Sequence, residues 1–225
     1  MNGYHISASS LKDFLWCPRR VYYRRNFSDS AVTTDEQGVG LAVHKVTEDK
    51  WEKQDTEYNN KIKISYNLDD YGKKKFTRCI SNFYSQYSQL LTIDDLKEYY
   101  FKVPLYKNVL LVGKIDRIVV SQDLVIDWKT SEYVPKEIDH DPQFIIYYLA
   151  YKELYGKEPK VLLVNLAKNK VVEFEPKKHY IDTIRNEVIP YMVRVMEMGN
   201  YPRLGLFNKA CESCSYIDTC WKEII

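Results

Sequence analysis

The chain has 225 residues, of which 45% are hydrophobic, with 33 Lys and Arg against 31 Asp and Glu. This is enough for one sizeable core, so we expect one domain or one domain with a small appendage. No stretch reaches the roughly 20 apolar residues of a membrane span, and the first residues lack the pattern of a secretory signal, which predicts a protein of the cytoplasm. The near-balanced charge does not select a partner, because an acidic site can lie inside a basic rim.

Apolar residues at helical spacing predict three helices in the first part of the chain. One follows the serines Ser7–Ser10 and is bent or broken near Pro18. The others cover 38–54 and 71–91.

The remaining elements are predicted from alternating or continuous apolar runs and their turns. The predicted strands are 99–105, 109–120, 123–130, 161–167 and 170–174. The predicted helices are 142–155, closed by Gly156, and 177–198, with Pro190 as a candidate kink. This order predicts an α/β fold with a mixed central β-sheet flanked by helices.

Two aspartates interrupt the apolar runs of the second and third predicted strands. Asp116 lies on the second strand, and Asp127 lies on the third with Lys129 two residues later. Side chains alternate along a strand, so Asp127 and Lys129 share a face, and a hairpin around 121–122 brings Asp116 close to them. Two buried carboxylates repel each other, and Mg²⁺ or Mn²⁺ would neutralise them. A surface ion pair beside a turn is the alternative for Asp127 and Lys129.

The chemistry that suits this arrangement is phosphodiester hydrolysis. A divalent ion polarises the phosphodiester and lowers the pKa of its bound water. A lysine beside the ion can hold or deprotonate that water and stabilise the developing negative charge.

The acids and Lys129 resemble the signature of PD-(D/E)XK nucleases, in the RecB-like variant with Asp as the second acid. His44 and Glu48 stand in a segment similar to its Gly-x-x-x-His-x-x-x-Glu motif, and Gln143 and Tyr147 match its Gln-x-x-x-Tyr motif. The motifs follow the family's order and span nearly the whole chain. The resemblance implies a restriction-endonuclease-like core and a Mg- or Mn-dependent deoxyribonuclease.

The resemblance also implies a role for each matched residue. The implied catalytic residues are Asp116, Asp127, Lys129, Gln143 and Tyr147. The implied ligands of Mn²⁺ or Mg²⁺ are His44, Asp116, Asp127 and the backbone carbonyl of Trp128. Glu48 either supports His44 or a basic partner, or is an ordinary surface acid.

Several of these positions also have a purely structural interpretation. A single histidine on an apolar helix is usually a core residue, so His44 has that alternative. Gln143 has the alternative of a polar residue at a helix start, and Tyr147 that of a core tyrosine. Glu98, ahead of the first strand, is expected to face away from the site.

Four of the five cysteines lie near the two ends of the chain. Cys211 and Cys214 form a Cys-x-x-Cys pair, Cys220 follows, and Cys17 lies near the other end. In a cytoplasmic protein such cysteines indicate metal binding or catalysis. Their spacing fits a structural zinc, an iron–sulfur cluster or free thiols. Cys79 is expected to be a small buried apolar residue.

The segment from Trp16 to Arg20 resembles the N-terminal element of RecB-like nucleases that carry an iron–sulfur cluster. In those nucleases one cysteine precedes the core and three follow it. The resemblance therefore implies a [4Fe-4S] cluster that joins the two ends of the chain. Its implied ligands are Cys17, Cys211, Cys214 and Cys220. We expect one RecB-like nuclease domain over 1–225, with a core at about 36–175 and cluster-binding elements at about 7–27 and 200–225.

The size and the cysteine layout most resemble the CRISPR-associated Cas-four family. Its members cut single-stranded DNA, often from a 5′ end, and process DNA for CRISPR arrays beside integrase proteins. The resemblance implies 5′-to-3′ exonuclease and endonuclease activity on single-stranded DNA, with a role in antiviral defence. Nucleases of viruses and mobile elements, which act in replication or recombination, share these motifs and would work in the host cytoplasm.

A catalytically silent DNA-binding module is an alternative of a different class. It would keep the fold but be free to lose the acids, His44 and Lys129, all of which are present. A metal-dependent cleavage assay separates it from a nuclease.

Overall fold

A mixed six-stranded sheet forms the centre of the computed structural model, which describes residues 3–27, 35–207 and 209–222. The strands are β1 (Tyr4–Ile6), β2 (Leu96–Tyr106), β3 (Val109–Val119), β4 (Leu124–Lys129), β5 (Lys160–Asn165) and β6 (Lys170–Phe174). Strand β3 pairs with three others, in parallel with β1 and antiparallel with β2 and β4. Strand β5 then pairs in parallel with β4 and antiparallel with β6.

Helices cover both faces of this sheet. They are α1 (Ala8–Trp16), α2 (Pro18–Asn26), α3 (Asp35–Asp49), α4 (Thr56–Ser65), α5 (Asp70–Asn82), α6 (Pro142–Tyr155), α7 (Lys178–Thr183), α8 (Ile189–Met198) and α9 (Ile217–Lys222). One buried apolar cluster packs α1, α6 and α8 on the sheet, and a second packs α3 and α5 on it. The predicted mixed sheet flanked by helices is therefore confirmed. Within the described ranges, no helix is both long and apolar enough to cross a membrane.

The N-terminal helical segment is broken at Cys17, as predicted. The hydroxyl of Ser7 accepts the backbone N–H of Ser10 at 3.1 Å, and this reciprocal cap starts α1. Cys17 has an extended backbone, and Pro18 opens α2, where its missing N–H costs no helical hydrogen bond. The junction places the Cys17 thiol between two helices.

Several element boundaries differ from the predictions. Helix α3 ends at Asp49 and is followed by α4, whose polar sequence gives a weak helical pattern. Strand β1 has only three residues and was not predicted. The predicted helix 71–91 consists of α5 followed by a π-turn and a short 3₁₀ turn.

Pro190 lies in the first turn of α8, directly after a π-turn at Ile184–Val188. Proline has no N–H and clashes with the carbonyl four residues earlier, and a wider turn accommodates both effects. The predicted kink is thus a π-turn within a continuous helical segment.

Candidate active site

The two aspartates and Lys129 meet where β3 and β4 pair. The Asp116 carboxylate accepts the backbone N–H of Trp128 at 2.8 Å, which ties the two strands together. The Lys129 ammonium lies 2.7 Å from the Asp127 carboxylate. Asp127 is 1% exposed, so its charge is almost fully withdrawn from water and depends on these neighbours.

Glu98 on β2 also faces this site, so the expectation that it faces away is wrong. Its φ of 45° breaks the alternation of the strand. As a result, Lys97 lies over the ring of Trp51 while the next residue, Glu98, contacts His44, both on the side of α3. Positive φ is strained for glutamate, and such strain is concentrated at functional sites. A strict period-two interpretation of β2 could not have found this residue.

His44 on α3 completes the cluster. Its Nδ1 lies 3.4 Å from a Glu98 carboxylate oxygen and 3.5 Å from one of Asp116, and its Nε2 lies 3.1 Å from the carbonyl oxygen of Trp128. Ligand atoms of His44, Glu98 and Asp116 all lie within 4.8 Å of one another. These three residues could therefore hold a metal ion.

The donor set fits a hard divalent cation. Neighbouring ligands of an octahedral ion at about 2.1 Å are about 3.0 Å apart, and Nδ1 of His44 lies 3.4 Å and 3.5 Å from oxygens of Glu98 and Asp116. Two carboxylates and one imidazole suit Mg²⁺ or Mn²⁺. Asp127 lies outside the set, since its carboxylate contacts Lys129 and Gln143 instead.

Burial and the concentrated negative charge of the acidic cluster shift the pKa values of Asp116 and His44. Burial and the charge of Asp127 raise the pKa of Asp116 to about 7. Burial alone would lower the pKa of His44, but the hydrogen bond to Glu98 and the charge of Asp116 raise it to about 9. Without a metal ion, protons therefore supply part of the positive charge that the acids require.

This protonation predicts metal binding that strengthens with pH. A metal ion displaces the proton of His44, so the affinity for Mn²⁺ should rise up to tenfold per pH unit until about pH 9. Below about pH 7 the dependence should steepen, because Asp116 must also lose its proton. Titration with Mn²⁺ at several pH values measures this, and His44→Gln should bind more weakly with a shallower slope. A pH-independent affinity would contradict the arrangement.

Gln143 and Tyr147 on α6 contact Asp127 and the backbone of β3. The Gln143 amide donates to Asp127 at 2.7 Å and to the Tyr147 hydroxyl at 2.9 Å. That hydroxyl donates to the carbonyl of Lys114 at 2.9 Å. Burial and the nearby carboxylates raise the pKa of Tyr147, so it stays a donor. The two side chains thus fix the orientation of Asp127 and the path of β3.

A sequence profile decides the family. The profile of the PD-(D/E)XK nuclease superfamily matches residues 5–221. The chain belongs to this superfamily. Its mixed sheet with flanking helices is a restriction-endonuclease-like PD-(D/E)XK core, and nucleases of this superfamily use divalent metals.

A solved structure shares the fold at low sequence identity. A crystal structure of a "putative exonuclease" from Eubacterium rectale has a TM-score of 0.66 at 13% identity, covering 96% of this chain and 87% of that one. A crystal structure of SSO0001 has a TM-score of 0.45 at 15% identity over 96% of this chain and 84% of that one, too low to establish a common fold. No curated protein matches the sequence significantly.

Lys129 is a cation in this PD-(D/E)XK site. Burial alone would lower its pKa, but the charge and hydrogen bond of Asp127 outweigh burial and raise it. A protonated lysine can donate a hydrogen bond and balance negative charge, whereas a general base must first lose its proton. Lys129 can therefore donate a hydrogen bond and balance negative charge beside Asp127.

Glu48 has a surface environment. Its carboxylate lies 3.8 Å from the Lys45 ammonium, and its side chain is 37% exposed. The observed acidic partners of His44 are Glu98 and Asp116. A supporting role for Glu48 stays a prediction.

Four cysteines line one pocket at the far end of α1. They are Cys17, Cys211, Cys214 and Cys220. Burial raises the pKa of Cys211, and the charges of the other three raise it further. The Arg203 guanidinium donates to the Cys220 sulfur at 3.3 Å. Among the described residues, no three of these sulfurs lie within 4.8 Å of one another.

Cys79 lies apart from this pocket. It is fully buried in the apolar cluster between α3, α5 and the sheet. Burial raises the pKa of its thiol to about 11. The prediction of a small buried apolar residue is confirmed for Cys79.

Proposed function

We propose that the chain is a Mg²⁺- or Mn²⁺-dependent deoxyribonuclease that hydrolyses phosphodiester bonds of single-stranded DNA. The observation that carries the proposal is the meeting of Asp116, Asp127 and Lys129 with His44 and Glu98 at one point of the sheet. A divalent ion supplies Lewis acidity and an activated water when bound there. The proposed ligands are His44, Glu98 and Asp116, and the family resemblance adds Asp127 and the Trp128 carbonyl.

The protein's own groups would act around that ion in distinct ways. Lys129, held 2.7 Å from Asp127, would place its positive charge where negative charge develops on the phosphate. Gln143 would keep the Asp127 carboxylate oriented through its 2.7 Å hydrogen bond. Tyr147 would hold both Gln143 and the backbone of β3 in place.

Lys129→Gln should lose most of the rate and keep metal and DNA binding. A positioned acid–base or charge-stabilising group contributes roughly 10²–10⁴-fold. Single-turnover cleavage measures the rate, and Mn²⁺ titration and DNA anisotropy measure the two affinities. A variant that cuts normally once bound, but binds DNA poorly, would make Lys129 a phosphate contact instead.

A path for a single strand supports the proposed substrate. Beside the site, a cleft is lined by Ser9, Lys12, Lys114, Gln143 and Tyr147. A second cleft shares Ser9 and Lys12 with it and continues past Trp16 and Arg20. The Arg20 guanidinium lies 4.7 Å from the Trp16 ring centroid, and Trp16 is 43% exposed. Exposed aromatic and cationic groups along a cleft suit stacking of unpaired bases and contact with phosphates.

The test of function compares single-stranded and duplex DNA with Mn²⁺, Mg²⁺ or EDTA. We expect cleavage of the single strand with either metal and none with EDTA. Trp16→Ala should weaken single-strand binding roughly 5- to 150-fold, the range for one stacked base. Tyr191→Ala is the matched control and should bind normally, because Tyr191 lies on α8, is about as exposed as Trp16 and lines neither cleft. Cleavage in EDTA, or a preference for duplex DNA, would contradict the proposal.

We also propose 5′-to-3′ exonuclease and endonuclease activity, exercised in the cytoplasm during CRISPR spacer acquisition beside integrase proteins. The support is the sequence resemblance, in particular the cysteine layout around a single nuclease domain over 1–225. Strands labelled at the 5′ or 3′ end test the polarity, and co-purification with the integrase proteins tests the setting. Activity without such partners would favour the viral or mobile-element alternative.

An iron–sulfur cluster on Cys17, Cys211, Cys214 and Cys220 is the proposed second cofactor. Its support is the single pocket that these cysteines line. In a tetrahedral zinc site with Zn–S of about 2.3 Å the sulfurs are about 3.8 Å apart, whereas among the described residues no three of the four pocket sulfurs lie within 4.8 Å of one another. A wider group therefore suits the pocket better than a single zinc ion.

A further inference from the structure

Lys114 competes with the candidate metal site for one of its ligands. It lies on β3 two residues before Asp116, and its ammonium forms an ion pair with one oxygen of Glu98. The other Glu98 oxygen lies 3.4 Å from His44. Glu98 is therefore shared between an ammonium and the cluster that could hold a metal ion.

We propose that Lys114 is a placeholder for the metal ion. Its ammonium balances Glu98 while the site holds no ion, and an entering ion takes Glu98 and releases Lys114 to bind a DNA phosphate. The inference rests on the proposed function of this site.

Formal charges support the exchange. With the acids ionised and His44 neutral, as metal ligands are, the carboxylates of Glu98, Asp116 and Asp127 supply three negative charges, and Lys114 and Lys129 supply two positive ones. A divalent ion and Lys129 together balance the three carboxylates, which leaves the charge of Lys114 in excess. An ammonium beside a divalent ion is also repelled by it.

Geometry gives the released side chain a destination. The Lys114 side chain is 57% exposed, so its flexible stem can turn without breaking core packing. Its backbone carbonyl stays bound to the Tyr147 hydroxyl at 2.9 Å. Lys114 also lines the cleft that contains Lys12 and Gln143, so a short movement would bring its charge to a strand in that cleft.

The decisive measurement is the affinity for a cleavage-resistant phosphorothioate strand with and without metal, with Lys129 left in place so that the charge balance of the site is unchanged. A fluorescent oligothymidylate with this backbone is the probe. In EDTA, adding Lys114→Gln should change its affinity less than twofold, because Lys114 is held by Glu98. In Mn²⁺ the same change should weaken binding about tenfold and reduce the salt slope by about 0.7. Without DNA, the variant should bind Mn²⁺ roughly tenfold more tightly.

Lys12→Gln is the matched control. Lys12 lines the same cleft but pairs with Asp141 at 2.9 Å, away from the metal cluster. Because Asp141 is not a proposed metal ligand, Lys12→Gln should change DNA affinity by the same factor in EDTA and in Mn²⁺. If Lys114→Gln behaves like Lys12→Gln, or has no effect, the placeholder role is overturned. A wild-type protein that binds no Mn²⁺ would instead overturn the proposed function itself.

Discussion

Asp116→Asn and Asp127→Asn will each abolish DNA cleavage, with a rate loss of at least about 10³-fold. Both changes remove a negative charge from the acidic centre while keeping the shape of the side chain. The expectation has the stronger structural support for Asp116, because its carboxylate lies in the candidate metal cluster with His44 and Glu98. Time courses of oligonucleotide cleavage in Mn²⁺ measure the loss.

The folded structure should survive these substitutions. Asparagine at 116 retains an oxygen that can accept the N–H of Trp128, now 2.8 Å from Asp116. Burial and repulsion from Asp127 raise the pKa of Asp116 to about 7. Removing that repulsion offsets part of any lost hydrogen bonding. Thermal unfolding should therefore remain cooperative, with a Tm close to that of the wild type.

Asp123→Asn is the control that separates the site from its surroundings. Asp123 lies at the turn between β3 and β4, where it accepts the Tyr151 hydroxyl and pairs with Lys157. Its left-handed backbone, φ 49°, is one that asparagine adopts readily. This variant should cut DNA at the wild-type rate. Full activity in Asp116→Asn or Asp127→Asn would remove that residue from the catalytic centre.

Local pattern predicted Asp116, Asp127 and Lys129 as a cluster, and the family resemblance added Gln143 and Tyr147. Asp127 and Lys129 follow the period of a strand, and Gln143 and Tyr147 follow the period of a helix. These side chains now meet through hydrogen bonds and an ion pair of 2.7–2.9 Å. Regular periodicity shows which residues share a face of a strand or helix, even when the fold is not known.

Glu98 was missed because its backbone departs from the pattern. At a φ of 45° the side chain of Glu98 no longer points to the face that strand alternation predicts. Nothing in the neighbouring sequence indicates this change. Strand β1 was missed for a different reason. Its three residues pair in parallel with β3, a contact between distant parts of the chain that no local pattern encodes.

Helix α4 was not predicted from the sequence because its residues are largely polar. Only Asn59 and Ile62 are buried along its ten residues. Helices with so few apolar positions depend on caps and tertiary contacts rather than on a continuous apolar stripe. Asp55 supplies one such cap by accepting the N–H of Tyr58 at 2.9 Å.

Cys17→Ser should remove the proposed cluster and markedly destabilise the protein. Cys17 lies at the junction of α1 and α2, and the other proposed ligands begin at Cys211. A crosslink over a loop this long restricts the unfolded chain by an estimated 4–5 kcal/mol if it acts as a disulfide does. For a domain of this size that corresponds to a fall in Tm of roughly 10–20 °C. Anaerobically purified wild type should be brown and the variant colourless.

Cys79→Ala is the control for this experiment, since Cys79 is fully buried away from the pocket. It should keep the colour and lose only the stability expected of a small cavity. Iron and sulfide near four each per chain would identify the cubane cluster. A colourless, zinc-loaded wild type would overturn the iron–sulfur proposal. It would leave the nuclease centre untouched, because none of the four pocket cysteines belongs to the cluster of His44, Glu98 and Asp116.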